Sequence, residues 1–184
     1  MSRIPVHTIE SAPASVRPVL ETLAQRSFVA PGHLMNLHAQ MAHAPAVLSA
    51  YMGIRRAAEE QSVLDQKTRT AVMLTVDSLE GGAYTRTISP YLAKRAGWSA
   101  EETAQLLAGT SPSSHLHALL EVVRHAVKNK GDVDDATWRR ALDAGWTEVE
   151  LADTFTGIGL ALFINYFVRY AGVAPDVTAG EKSA

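Results

Sequence analysis

The sequence predicts an all-α fold. Apolar residues recur at helical spacing in one segment after another, no stretch sustains the period-two alternation of a half-buried strand, and turn signals such as Pro31-Gly32, Gly81-Gly82 and Asn129-Lys130-Gly131 fall between the segments. At 184 residues the chain is in the range of one domain that buries a core without staples. A hydrophobic content of 47% with 20% charged residues is that of a folded domain and argues against disorder.

The elements follow in order. Residues 1–13 hold Pro5 and Pro13 with few periodic apolar positions and read as an extended arm on the domain or on a neighbouring subunit. Ser15 is a candidate N-cap for a helix to about Arg26, with Pro18 in its first turn and Val19, Leu20 and Leu23 on its inner face. Leu34, Leu37, His38 and Met41 mark a second helix, and Pro45 divides it from a third that carries Val47, Leu48, Tyr51, Ile54 and Arg55 to about Gln61. Asp65 is a plausible cap for a helix from Gln66 to Leu79, with Thr70, Met73, Leu74 and Asp77 along one side and apolar residues all round, which predicts deep burial.

After Gly81-Gly82 two readings stand. Ser89-Pro90 is a strong helix start, serine at N-cap and proline at N1, which leaves 83–88 as a loop; alternatively the helix begins near Ala83 and Pro90 kinks it. Gly97 closes that helix and Ser99-Ala-Glu-Glu opens a short one to Leu107. Gly109 to Pro112 reads as a loop. Leu116, Leu119, Leu120, Val123 and Val127 form the stripe of the next helix, Asp134 or Asp135 caps another with Trp138 and Leu142, and Thr147 starts the last and longest, apolar on most sides from Leu151 to Phe167. One domain over residues 14–174 and a polar, frayed tail over 175–184 complete the chain.

Charge and composition exclude several functions. A net charge of −2, from 17 basic and 19 acidic residues mixed along the chain, offers no basic stripe to nucleic acid. The absence of cysteine removes disulfides, thiolate zinc sites and thiol peroxidase chemistry. The N-terminus has no secretory h-region, and the longest apolar run, Gly157 to Val168, is interrupted by Asn165 and is shorter than a membrane span of about 20 residues. The expectation is a cytoplasmic protein with neither a nucleic-acid nor a membrane partner.

Several stretches together resemble the carboxymuconolactone decarboxylase family, which includes the alkylhydroperoxidase D-like proteins. They are Met41-Ala-His-Ala-Pro-Ala-Val-Leu after the Pro-Gly pair, Gly81-Gly-Ala-Tyr84, Ala93-Lys-Arg-Ala-Gly97 followed by Trp-Ser-Ala-Glu-Glu, Glu121 to Gly131, and Asn165-Tyr-Phe-Val-Arg-Tyr-Ala-Gly172. The match runs from about residue 5 to 174 and rests on their order and spacing. It implies an all-α, alkylhydroperoxidase D-like bundle of about eight to nine helices, a homo-oligomer (dimer, trimer or hexamer), and a continuous kinked helix across Pro90. In the peroxidase-type members two cysteines, a histidine and a glutamate surround the turn. Here those positions hold Gly82, Thr85, Ser89 and Thr70, so the resemblance carries the fold without the redox machinery.

The candidate site residues gather at this turn. Thr70 and Thr85 with Ser89 would line a small hydroxyl-bearing pocket or simply refill the space of lost thiols. Arg86 could hold an anion near a helix N-terminus or be solvated. His38 lies on the apolar stripe of its helix, five residues from His43 and off a common face with it; His115, His117, His125, His33 and His7 add no ligand spacing, so no metal is expected. Asn165, Tyr166, Arg169 and Tyr170 end the last helix as a pocket wall, a subunit contact or a helix emerging into solvent.

Two functions follow as expectations. One is a diverged enzyme, of lyase or isomerase type, doing cofactor-independent, non-redox chemistry (decarboxylation, isomerisation or cyclisation) on a small organic molecule. In it Tyr84, Ser89 and His38 are the catalytic candidates, and Thr70, Thr85, Arg86 and Arg169 hold the substrate. The other is a catalytically silent oligomer that binds a metabolite or a protein partner.

Overall fold

The computed structural model describes residues 2–111 and 113–177; Pro112 and the expected tail from 178 onward lie outside them. After a 3₁₀ turn at Ala14–Val16 come α1 (Arg17–Gln25), α2 (Asn36–Met41), α3 (Pro45–Glu60), α4 (Gln66–Glu80), α5 (Ala83–Arg95), α6 (Ala100–Leu107), α7 (Ser114–Lys128), α8 (Asp135–Asp143) and α9 (Glu148–Ala171). No strand occurs among the described residues, so the all-α expectation holds.

Local chemistry sets most of the helix ends. Asp65, Ser113 and Asp134 each accept a hydrogen bond from the backbone N–H three residues on, and Ser99 and Thr147 do so within full capping boxes closed by Glu102 and Glu150. Gly97 and Gly172 sit at φ 86° and 68° past the ends of α5 and α9, a left-handed region that glycine enters without a Cβ penalty. Ser15 does not cap α1. It lies inside the 3₁₀ turn, and α1 starts after Val16 with no side-chain cap, Pro18 occupying the first turn where a missing N–H costs nothing.

Between the two readings at Pro90 the structure selects the continuous helix. Pro90 lies inside α5, and Ser89, no N-cap, turns its Oγ back to the Thr85 carbonyl at 2.7 Å. That back-bond engages a carbonyl one turn earlier, next to the Arg86 carbonyl whose N–H partner Pro90 lacks.

α4 and α9 form the centre. α4 packs against α9, α7, α5 and α6, and α9 also packs against α3 and α7. The two helices approach closely at Gly157, where a Cβ would stand 3.1 Å from Val72 Cγ1. Among the described residues α9 alone is long and apolar enough to cross a membrane, with a mean hydropathy of 1.4. Its Gly157, Leu160, Ala161 and Asn165 are nevertheless buried in the domain, as a central helix requires.

Two apolar clusters result, one gathered on α4, α7 and α8 and the other on α1, α2, α3 and α5, with α9 contributing to both. The N-terminal arm lies on the second: Arg3 N donates to the Ala171 carbonyl at 2.8 Å, and buried Gln40 donates to the Ile4 carbonyl at 3.0 Å. At the other end the chain stays attached beyond residue 175, where the sequence reading starts the frayed tail. The Asp176 side chain is fully buried and accepts hydrogen bonds from Asn36 N at 2.7 Å and Tyr84 Oη at 3.0 Å.

Candidate functional site

The Gly81-Gly82 turn makes α4 and α5 a hairpin, and each glycine has a different reason. A Cβ on Gly81 would fall 2.2 Å from the Asp77 carbonyl oxygen and 2.8 Å from Thr85 Oγ1, so only glycine lets the chain fold back over the end of α4. Nothing among the described residues stands within 4 Å of a Cβ on Gly82, which begins α5 in extended backbone.

Beside this hairpin, under α1, α2, α3 and α9, lies a cavity of about 540 Å³. That is within the range of small-molecule sites, roughly 300–1,000 Å³. Its walls are mainly apolar, from residues such as Leu23, Phe28, Met73, Ile88, Leu92 and Leu160. Thr70, Thr85, Ser89, Tyr84 and His38 all line it, so five of the seven candidate residues meet there. Arg86 and Arg169 do not. Arg86 is exposed on the outer side of α5, and Arg169 donates to the Glu80 carbonyl and, at 2.9 Å, to its carboxylate, where it complements the C-terminus of α4. The anion-holding role expected of these arginines is therefore corrected for this cavity.

The polar groups form two sets. At the turn end, Asp77 is half-buried and lines the cavity. Its Oδ2 accepts from Ser89 Oγ at 2.7 Å and its Oδ1 from Asn165 Nδ2 at 2.7 Å. Burial pushes the Asp77 carboxyl above the ordinary carboxylate range; the hydrogen bonds from Asn165 and Ser89 pull the other way and do not offset it. A carboxyl raised in this manner keeps a proton more readily than a free aspartate does, which suits a group that gives and takes protons.

On the facing wall, His38 Nε2 and the Tyr51 hydroxyl share a hydrogen bond of 3.2 Å, and Arg55 reaches Tyr51 at 3.5 Å and Glu59 at 2.8 Å. His38 is 4% exposed, and its Nδ1 is buried without a partner among the described residues. Burial first, and then the charge of Arg55, lower its pKa from 6.5 to about 3. His38 is a neutral imidazole across the physiological range and no proton carrier there.

Tyr84 is likewise committed elsewhere. Its ring lines the cavity, but its hydroxyl donates to Asp176, outside the lining, and burial followed by the Asp176 charge raises its pKa. It positions the wall and the C-terminal segment rather than moving protons. Thr70 donates to the Gln66 carbonyl at 2.8 Å and Thr85 to the Gly82 carbonyl at 3.3 Å, so both hydroxyls are anchored and keep lone pairs for a ligand.

Sequence reasoning missed Asp77 as a functional group although it stands on the α4 stripe seven residues after Thr70; a carboxylate on an otherwise apolar helix is the available signal. Tyr51 and Arg55, and the arginines Arg26, Arg69 and Arg95 that also line the cavity, carry no such signal. Among the described residues no group of three or more histidines and carboxylates is placed to hold a metal ion.

No family model and no curated protein matches the chain. Solved structures do. The architecture is similar to an alkylhydroperoxidase AhpD core, a peroxidase-related protein from Ralstonia eutropha JMP134, with a TM-score of 0.83 at 16% identity over 95% of this chain and 92% of that one. This is the AhpD fold. A peroxidase-related protein from Silicibacter sp. TM1040 superposes with a TM-score of 0.80 at 13% identity, over 95% of this chain and 91% of that one. A variant of the debrominase Bmp8 in complex with 2,3,4-tribromopyrrole does so at 0.79 and 15% identity, over 96% and 93%. On this AhpD-like frame the chain carries no cysteine and places Gly82, Thr85, Ser89 and Asp77 around the turn.

Proposed function

We propose that this is a diverged AhpD-like protein that performs non-redox, cofactor-independent acid–base chemistry on a small organic molecule in the cavity beside the Gly81-Gly82 turn. The observation that carries the reading is Asp77: a carboxyl of raised pKa on the cavity wall, hydrogen-bonded by Ser89 and Asn165. Such a group takes a proton from an acidic C–H and returns it to a neighbouring carbon, an isomerisation that consumes no electrons and no co-reactant. It also protonates the carbanion left by loss of carbon dioxide. Ser89 relays or orients, Thr70 and Thr85 offer hydrogen bonds to the ligand, and His38, Tyr51 and Tyr84 shape the wall. That a debrominase of the same fold holds a small halogenated heterocycle supports a ligand of that size class.

The silent alternative has an observation of its own, since both Asp77 oxygens already accept side-chain hydrogen bonds and can serve as a strut between α4, α5 and α9. The deciding experiment is deuterium exchange. Ligands found by thermal-shift screening are incubated in D₂O with the native protein or with Asp77→Asn, and C–H signals are followed by NMR. The proposal expects exchange by the native protein and its loss by about 100-fold or more in Asp77→Asn. Bound ligands that exchange with neither protein leave the binding-protein reading.

A homo-oligomer in the cytoplasm completes the reading. Exposed Phe155, Tyr166 and Tyr170 lie within one face of α9 and support a subunit contact there.

A further inference from the structure

The cavity has direction. α4 runs toward the Gly81-Gly82 turn and α5 runs away from it, so Asp77, Tyr84, Thr85 and Ser89 occupy one end, while Gln66 and Arg69 of α4 and Leu92 and Arg95 of α5 occupy the other. Helical rise puts Arg95 about 9 Å beyond Ser89 along α5 and Arg69 about 12 Å from Asp77 along α4. Arg26 also lines the cavity, and Phe28, two residues on, stacks with ring centroids 5.4 Å apart on Tyr91 of α5, one helical turn before Arg95.

The charges at the two ends differ. Of the arginine and carboxylate groups on the lining, Arg55 and Glu59 are paired with each other. That leaves Arg26, Arg69 and Arg95 against Asp77, whose burial favours its neutral form. Arg69 donates to the Leu64 carbonyl, whereas the exposed side chains of Arg26 and Arg95 have no hydrogen bond or ion pair among the described residues. Guanidinium groups left unpaired at the rim of an apolar cavity present forked donors matched to a carboxylate.

Resting on the reading above, we infer that the substrate is an elongated, largely apolar organic monocarboxylate, held by its carboxylate at Arg26 and Arg95 with its distal carbons directed to Asp77 and Ser89. An apolar body of roughly six to eight carbons spans the distance between the ends. The arginines also draw the anion toward the mouth, so association weakens with ionic strength.

Isothermal titration calorimetry with octanoate and 4-phenylbutanoate, each set against its primary amide, tests the inference. The carboxylates bind about tenfold or more tightly than the amides, and in the Arg26→Ala/Arg95→Ala variant the ratio falls to about one while amide affinity stays. Because both arginines are exposed, the variant keeps the native melting temperature, which is checked in parallel. Equal affinity for acid and amide in the native protein, an unchanged ratio in the variant, or no binding by any member of the series overturns it. The two readings fail separately. Arginine-dependent binding without deuterium exchange retains the ligand class and removes the chemistry, and exchange on neutral ligands without acid preference does the reverse.

Discussion

The two apolar clusters of this domain are built from the same kinds of helix and end in opposite states. Around α7 the chain supplies Leu119, Leu120, Val123, Leu106 and Val76, all essentially inaccessible, and the cluster closes on itself. Around α5 it supplies Tyr84, Ile88, Leu160 and Met35 but faces them with Thr70, Thr85, Ser89, Ala58 and Gly157, and the space between is a cavity of about 540 Å³. Side-chain volume is one cause. The other is anchoring: Thr70, Thr85 and Ser89 are tied to carbonyls of their own helices at 2.8, 3.3 and 2.7 Å, so the small polar residues do not lean in to fill the space. A hollow core is here a property of which residues face it, and α4 and α9 serve as walls to both halves.

Truncation in the two halves breaks or sharpens this contrast most directly. Leu119→Ala opens a void in the packed half and costs about 3–5 kcal/mol, whereas Ile88→Ala, on the wall of an existing void, loses mainly the transfer term, about 2 kcal/mol. Urea denaturation of both variants measures the difference, and equal losses mean that the cavity is closed in solution. At the turn joining α4 to α5, Gly81→Ala costs about 1–3 kcal/mol because its Cβ collides with the Asp77 carbonyl, while Gly82→Ala stays within about 0.5 kcal/mol of native. The same titrations read it. A tolerated Gly81→Ala would show that the hairpin shifts freely and that Asp77 is not held in place.

A smaller effect tests the polar wall of the hollow half. His38 takes a proton at about pH 3 when folded and at 6.5 when unfolded, so its contribution to stability is complete above pH 6.5 and is lost as pH falls through that window. The slope approaches about 1.4 kcal/mol per pH unit. Denaturation midpoints between pH 7 and pH 4 follow it, and His38→Phe flattens the acid limb. An unchanged limb in that variant assigns the acid sensitivity to other groups. Asp77 has the opposite sign: with its folded pKa raised above 3.8, its contribution is present at low pH and declines as pH rises through the folded value.

Much of this was legible in the chain. The caps at Asp65, Ser99, Asp134 and Thr147, the turn at Gly81-Gly82, the all-α class and the AhpD-like resemblance are local or ordered features, set by hydrogen bonds within a few residues and by the 3.6-residue period. The lack of cysteine by itself removed thiol chemistry. Periodicity also put Thr70 and Asp77 on one stripe, the resemblance singled out Thr85 and Ser89, and all four line the cavity.

What only the tertiary structure decided is which distant groups those stripes meet. Asn165 reaches Asp77 across 88 residues and Asp176 reaches Tyr84 across 92, the first fixing the carboxyl in the wall and the second committing the tyrosine hydroxyl to the C-terminal segment. That Arg26 and Arg95 line the cavity while Arg86 and Arg169 do not has the same origin. A helix sequence fixes the angle at which a side chain leaves its own axis, but the partner it finds depends on how α1, α4, α5 and α9 cross, and that is set by packing the whole core.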